Sequence, residues 1–365
     1  MNRHTLTEIG LPAGTLLIAV LATFAPFPAA LPATFEHGLD FAAIVLIFAT
    51  VFVVLRHAET VAHHVGEPFG TLVLTLAVTA IEASVIISLM LDGSEKPTLA
   101  RESVFSTVMI ICAGVVGACL TLGGWRHVRQ DLKRQGTSAF LSMLIALAGF
   151  TLVLPNFTLT GRPGEFSHVQ LAFIATLAFL LYVVFVIAQT RRYRGDFVED
   201  LRHETMVHPA LPERSLPASL VLLVAGLAGI VMLTEIVAHS VEESLIRWQI
   251  EHTEAIIGAF IATLVLMPES ISAVKAALRN ELQRGLNIAL GSACATIGLT
   301  VPLVAVASLI SGRELDLGLV PGDIALLTIA LATCMVSFST GRTTLLTGLV
   351  HLVIFFAYLL LIAVP

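Results

Sequence analysis

The stretch GTLVLTLAVTAIEAS, residues 70–84, and the stretch GAFIATLVLMPES, residues 258–270, decide how this chain is read. Each opens on a glycine, runs through apolar residues and reaches one acid, Glu82 in the first and Glu269 in the second. Runs this apolar form helices in a bilayer, where backbone amides and carbonyls must be satisfied within the segment. An acid at the centre of such a helix costs about 2.5–3.5 kcal/mol on insertion scales, so it is seldom kept without a role. Two acids in matching places and facing one cavity would bind a cation or protons.

The rest of the chain fits that solvent. Of its 365 residues 56% are hydrophobic and only 13% charged, and the mean hydropathy is +0.92, far too apolar for a soluble domain. Windows of about 20 apolar residues give eleven spans, at residues 11–31, 39–55, 68–91, 103–124, 138–154, 169–189, 216–239, 254–276, 286–311, 323–338 and 343–364. The expected fold class is therefore an all-α polytopic membrane protein.

The spans repeat. Glu82 lies in the third and Glu269 in the eighth, and each acid is followed, after a short charged loop, by a helix rich in Gly, Ser and Ala. Setting the first span aside leaves five per half, an odd number, so the two acid-bearing helices enter from opposite faces. That is an inverted 5+5 helix repeat with one extra N-terminal helix, an architecture that places substrate near the midplane. The divisions expected are residues 1–38 for the extra helix, 39–190 for the first membrane repeat, 191–215 for a cytoplasmic linker and 216–365 for the second repeat. The linker carries mixed charge and is ended by Pro209, Pro212 and Pro217, which describes a solvated connection.

Charge orients the spans. Lys96, Arg101, Arg162, Arg247 and Arg313 fall on one side, and the other fifteen of the twenty Lys and Arg residues fall on the side of the N-terminus. The positive-inside rule then puts the N-terminus in the cytoplasm and the C-terminus outside. The first stretch offers Ala29, Ala30 and Ala33 as small residues near a signal-peptide cleavage point, but its apolar run is long and its leading charge weak, and an uncleaved helix is expected.

The sequence has no P-loop, no strand-opening GxGxxG, no nucleophile elbow and no HExxH helix. ATP-driven transport, nucleotide binding and nucleic-acid binding are accordingly not expected, nor is a cofactor. Cys112, Cys119, Cys294 and Cys334 form no CxxC pair and read as small core residues. His57, His63 and His64 read as interfacial, His351 as a packed polar residue, and Glu235 as an intramembrane acid without a counterpart.

Oxygen chemistry surrounds the two acids. Thr75, Thr79 and Glu82 make a stripe at helical spacing. Pro268 removes a backbone donor and crowds the carbonyl of Leu264, which is expected to loosen the helix just before Glu269. In the next helix Ser292, Thr296 and Thr300 recur every four residues, with Gly291 and Gly298 allowing close approach of a neighbour. Ser106, Thr107 and Asn287 are weaker additions. Carboxylate, hydroxyl and carbonyl oxygens suit a hard cation such as Ca2+.

These residues resemble a known family. Gly66-Glu67-Pro68-Phe69-Gly70 followed by Ile81-Glu82, Pro268-Glu269 with Ala273-Val274-Lys275-Ala276, the run from Asn287 to Ser292, and Phe338-Ser339-Thr340-Gly341-Arg342 are similar to the ChaA-type calcium/proton antiporters of the cation/Ca2+ exchanger superfamily. The resemblance covers roughly residues 40 to 365. It implies a monomeric or weakly oligomeric exchanger of the bacterial inner membrane, in which Glu82 and Glu269 bind Ca2+ and H+ alternately. It also implies acceptance of Na+ or K+ at the same residues. Two departures stand out: residues 103–124 lack the Asn or Asp that many members carry there, and the linker is less acidic than in ChaA-type relatives.

Secondary antiport is thus the expected function, with proton entry driving cation extrusion. Burial and a neighbouring like charge favour protonated carboxyls in an empty site, so cation and proton compete for the same oxygens. Two bare carboxylates are too costly to carry across, which couples the fluxes as one helix bundle rocks against the other. The alternatives are a Na+ or K+/proton antiporter using the same residues, a cation channel, and an intramembrane enzyme with a two-acid site.

Overall fold

The computed structural model describes residues 3–24, 33–65, 69–91, 96–159, 162–197, 216–250 and 252–364. Of the linker only residues 191–197 are among them; Arg202, Gly66, Glu67, Pro68, Ala29 and Ala30 lie outside the described residues, as does the side chain of Thr75. Eleven apolar helices are seen: α1 Arg3–Phe24, α2 Ala33–Val65, α3 Phe69–Leu91, α4 Leu99–His127, α5 Arg134–Phe157, α6 His168–Arg192, α7 Leu216–Arg247, α8 Thr253–Leu278, α9 Leu282–Ser311, α10 Pro321–Ser339 and α11 Leu345–Ala363. Among the described residues nine are long and apolar enough to cross a membrane, while the apolar parts of α1 and α3 are shorter. The chain is an all-α polytopic membrane protein.

Several helices outrun the apolar windows that mark them. α2 continues through Arg56, His57 and Thr60, and α7 through His239, Glu242 and Glu243 to Arg247. Hydropathy reports where the environment changes, whereas a helix continues while its backbone hydrogen bonds do. The first helix also starts ahead of its apolar window, with α1 beginning at Arg3.

The chain forms two compact units, each drawn from both halves of the sequence. One comprises Met1–Leu89 with His203–Thr253, the other Met90–Arg202 with Glu254–Pro365. In the first, α7 packs on α1 and α2. The pairing is possible because Gly229 presents no side chain where the backbone of Leu16 passes; a Cβ there would sit 2.7 Å from the Leu16 nitrogen. Thr15 and Thr50 join α1 to α2 through hydroxyls 2.6 Å apart, and Ser240 donates to Asp40 at 2.5 Å, tying α7 to α2. Small residues and interhelical hydrogen bonds replace the hydrophobic drive that a bilayer does not supply.

In the second unit the loops sort by parity, as alternating membrane crossings require. At one end β1, Arg129–Asp131 between α4 and α5, pairs antiparallel with β2, Arg342–Thr344 between α10 and α11. Gln130 donates to the carbonyl of Ala277 at the end of α8, and Lys133 to that of Gly195 after α6. At the opposite end a bridge joins Glu165, between α5 and α6, to Asp316, between α9 and α10, and the amide of Asp316 donates to Pro97 ahead of α4. Arg101, 8% exposed, locks that end. Its Nε and Nη2 donate to Glu102 Oε1 at 2.8 and 2.7 Å, and Nη1 donates to Asp316 Oδ2 and the Gly318 carbonyl at 2.9 Å each.

Candidate functional site

Glu82 belongs to the first unit. It is 3% exposed on α3, with Thr79 one turn earlier at 4%, and Val78, Ile81 and Ala83 beside them are buried as well. Further along α3, Ser88 donates to Glu235 Oε2 on α7 at 2.7 Å. Glu235, which the sequence left without a counterpart, therefore ties two helices together.

Glu269 belongs to the second unit. It is half-buried on α8, with Oε2 shielded from solvent. The expected loosening before it does not occur: α8 is α-helical from Thr253 to Leu278 straight through Pro268. The proline's lost donor is accommodated as membrane helices commonly do it, and the hydroxyls of Ser270 and Ser272 bond the carbonyls of Leu266 and Pro268, one turn back. Gly258 seats α8 on α4, because a Cβ at that position would lie 2.8 Å from the Glu102 carbonyl carbon and the Ser103 nitrogen.

The helices loosen elsewhere. Residues Ile110–Val115 of α4 and Thr296–Thr300 of α9 are wound as π-helix, a form that displaces backbone carbonyls and is frequent at functional positions; Gly149–Val153 of α5 and Ala188–Arg192 of α6 are wound in the same way. In α4 the carbonyl of Cys112 is taken up by His351 Nδ1 at 2.8 Å and by the Cys334 thiol at 3.6 Å. His351 is fully buried, with Nε2 2.9 Å from the Ser337 hydroxyl, so both ring nitrogens are used in packing. All four cysteines are buried and free.

The candidate oxygens of the second unit lie on α4 and α9. Ser292, Thr296 and Thr300 are buried on α9, as are Ser103, Ser106 and Thr107 on α4. The Ser103 hydroxyl finds no hydrogen-bond partner among the described residues, and that of Ser106 faces the Tyr358 hydroxyl, unlike Thr151, Thr263 and Ser270, which bond their own helix. An unspent hydroxyl in a dry interior is expensive structurally and available chemically. Asn287 is different: it accepts from Gln283 at 2.8 Å and donates to the carbonyl of Phe197, so it ties α9 to the turn after α6.

Tyr182 on α6 went unnoticed in the sequence. It lies within electrostatic reach of Glu269 and packs against the π-helical turn of α9, where a Cβ on Gly298 would meet its own at 2.6 Å. Gly298 is the signal that could have found it, since a small residue was already read there as a seat for a neighbour. Gly291, read in the same way, has only Phe140 at an ordinary 3.8 Å and permits no close approach. Among the described residues no three His, Cys, Asp or Glu side chains gather as a metal centre.

The comparisons with known proteins bear on the whole of this arrangement. A Sinorhizobium fredii protein that carries the name of an ionic transporter is 42% identical over 323 residues, covering 88% of this chain and 87% of that one. The sodium-potassium/proton antiporter ChaA of Escherichia coli is 35% identical over 331 residues, covering 89% of this chain and 88% of its own. The crystal structure of the Ca2+/H+ antiporter protein YfkE superposes with a TM-score of 0.68, covering 98% of this chain and 99% of that one; at 15% identity it shows a shared fold. The profile described as Sodium/calcium exchanger protein matches residues 38–191 and 218–364, taking in both acid-bearing helices. The chain belongs to the sodium/calcium exchanger protein family.

Proposed function

We infer that this protein is a secondary antiporter that exchanges cytoplasmic Ca2+ for external protons, with Glu82 and Glu269 carrying cation and proton alternately. The observation that carries the reading is the burial of one mid-helix acid on each of two corresponding helices, at 3% exposure for Glu82 and with a shielded Oε2 for Glu269. Carboxylates so placed are ionised at a cost that a bound cation or proton removes. Thr79 in the unit of Glu82, and Ser106, Ser292 and Thr296 in the unit of Glu269, are the hydroxyls that would serve a hard cation; Asn287 is better explained by its hydrogen bonds. In this scheme the basic loop end holding β1, β2 and Lys133 faces the cytoplasm, and the membrane is a bacterial inner membrane.

A second reading has its own support. The relative at 35% identity is a sodium-potassium/proton antiporter, so Na+ or K+ could take the place of Ca2+ at the same residues. Proton flux in inside-out vesicles, with Ca2+, Na+, K+ and Mg2+ added in turn, separates the two. Proton release on Ca2+ addition alone supports the first reading; release on Na+ or K+ with none on Ca2+ replaces it with the second. Conductance without counter-transport would overturn both.

A further inference from the structure

A groove of about 920 Å3 opens on the second unit, over the outer face of α5 between α6 and α10. It is graded along its length. At the end where α5 begins it is lined by Arg134, Ser138, Asp196 and Ser339; deeper, by Leu141, Ile145, Phe185 and Met335. From Arg134 to Ile145 the helix advances about 16 Å, enough to carry the groove from the interface into hydrocarbon. Its floor is firm, because Phe140, Phe185 and Phe197 pack as a triad with ring centroids 5.1 to 5.9 Å apart.

The polar end holds two opposite charges that do not neutralise each other. Among the described residues the side chains of Arg134 and Asp196 make neither an ion pair nor a hydrogen bond. Both are held by their surroundings. The stem of Arg134 crosses Gly341, where a Cβ would meet its Cγ at 3.0 Å, and the backbone of Asp196 abuts Gly136. A guanidinium suits a phosphate and a carboxylate suits an N–H cation. A purely anionic headgroup would satisfy the first and be repelled by the second.

We propose that this groove binds one molecule of an aminophospholipid, phosphatidylethanolamine in chemistry, with its phosphate at Arg134, its ammonium at Asp196 and an acyl chain along Leu141, Ile145 and Met335. The complementarity is threefold: cation to phosphate, anion to a primary ammonium with N–H donors, and an apolar trough for the chain. Pockets between membrane helices that bear basic residues at the interface are established lipid seats; the acid here sets the headgroup.

The test uses the full chain, purified in detergent, stripped of lipid and offered an equimolar mixture of dioleoyl phosphatidylethanolamine, phosphatidylglycerol and phosphatidylcholine before native mass spectrometry. One ethanolamine-lipid adduct should dominate. Arg134→Gln and Asp196→Asn should each weaken it about tenfold, the loss of one charge-assisted hydrogen bond, while Arg129→Gln on the neighbouring exposed ribbon should leave it intact. Arg134 is exposed and Asp196 half-buried, and among the described residues neither side chain makes a hydrogen bond that the variant would break, so neither variant endangers folding. Equal uptake of the three lipids overturns the proposal, as does retention of the adduct in both variants. Preference for phosphatidylglycerol abolished by Arg134→Gln alone would mean a simple anion site and also overturns it, as would pairing of two chains across this face without lipid.

Discussion

Replacing Arg101 by Met should destabilise the second unit by about 3–5 kcal/mol, the usual cost of stripping one partner from a buried ion pair. The figure follows from what the guanidinium holds. Arg101 is 8% exposed and makes four hydrogen bonds, two of them to Glu102 Oε1, and Glu102 is itself 7% exposed. Methionine keeps much of the volume, so packing is nearly conserved and the loss is electrostatic. Glu102 is then left as a buried carboxylate, while Asp316, whose side chain is 23% exposed, is partly rescued by water and contributes less. Thermal unfolding in detergent, followed by tryptophan emission, should show a midpoint lower by roughly 5 °C or more for a change of that size. The decisive arm is the double variant Arg101→Met/Glu102→Gln. Because the stranded charge is the main cost, removing it should recover more than half of the loss. A single variant within about 1 kcal/mol of the parent, or a double variant no better than the single one, would refute the reasoning.

Glu82→Gln and Glu269→Gln should each abolish cation-dependent proton flux in vesicles while leaving the protein inserted, whereas Glu235→Gln should cost little, since an amide oxygen still accepts from Ser88; near-normal flux in either of the first two variants would remove the proposed roles. Cysteines at Lys133 and Arg313, which sit at opposite loop ends of the second unit, should label from opposite sides of a sealed vesicle, Lys133→Cys from the cytoplasmic one, and labelling of both from one side would break the topology. Raising pH from neutral to moderately alkaline should lower the apparent KM for cation, because protons leave the carboxyls that cation must occupy, and a KM flat across that range would show that proton and cation do not share them.

The helices were legible because each is a long apolar run, and no soluble alternative can bury so much of it. Glu82 and Glu269 stood out as lone carboxylates in apolar runs; Glu235 is another, and its tie to Ser88 on a distant helix left no mark in the sequence. The π-helical turns were not legible. In two of them, residues 110–115 and 296–300, the sequence is Ile, Cys, Ala, Gly, Val, Thr and Leu, which suit α and π winding alike; the choice lies with tertiary partners such as His351 on the Cys112 carbonyl. Pro268 misled for the mirror reason: a local rule against proline was overridden by a helix held by its neighbours. Arg101 read only as one of five charges on the sparse side, because its partner Asp316 lies more than two hundred residues away. The β1–β2 ribbon is equally remote in sequence, and three residues per strand carry no periodicity to detect.

The mixed ancestry of the two units has a consequence for how the protein is made. α1 and α2 leave the ribosome and enter the bilayer, followed by α3, while α7, the helix on which the first two pack, has not yet been synthesised. Until it arrives, the notch that Gly229 offers to Leu16 does not exist and Ser88 has no Glu235 to bond. The early helices are therefore inserted as waiting parts, and the later half of the chain completes both units rather than adding a second one. Severed between α6 and α7, the polypeptide would yield two fragments neither of which contains a whole folding unit, so activity should return only when both are synthesised into the same membrane.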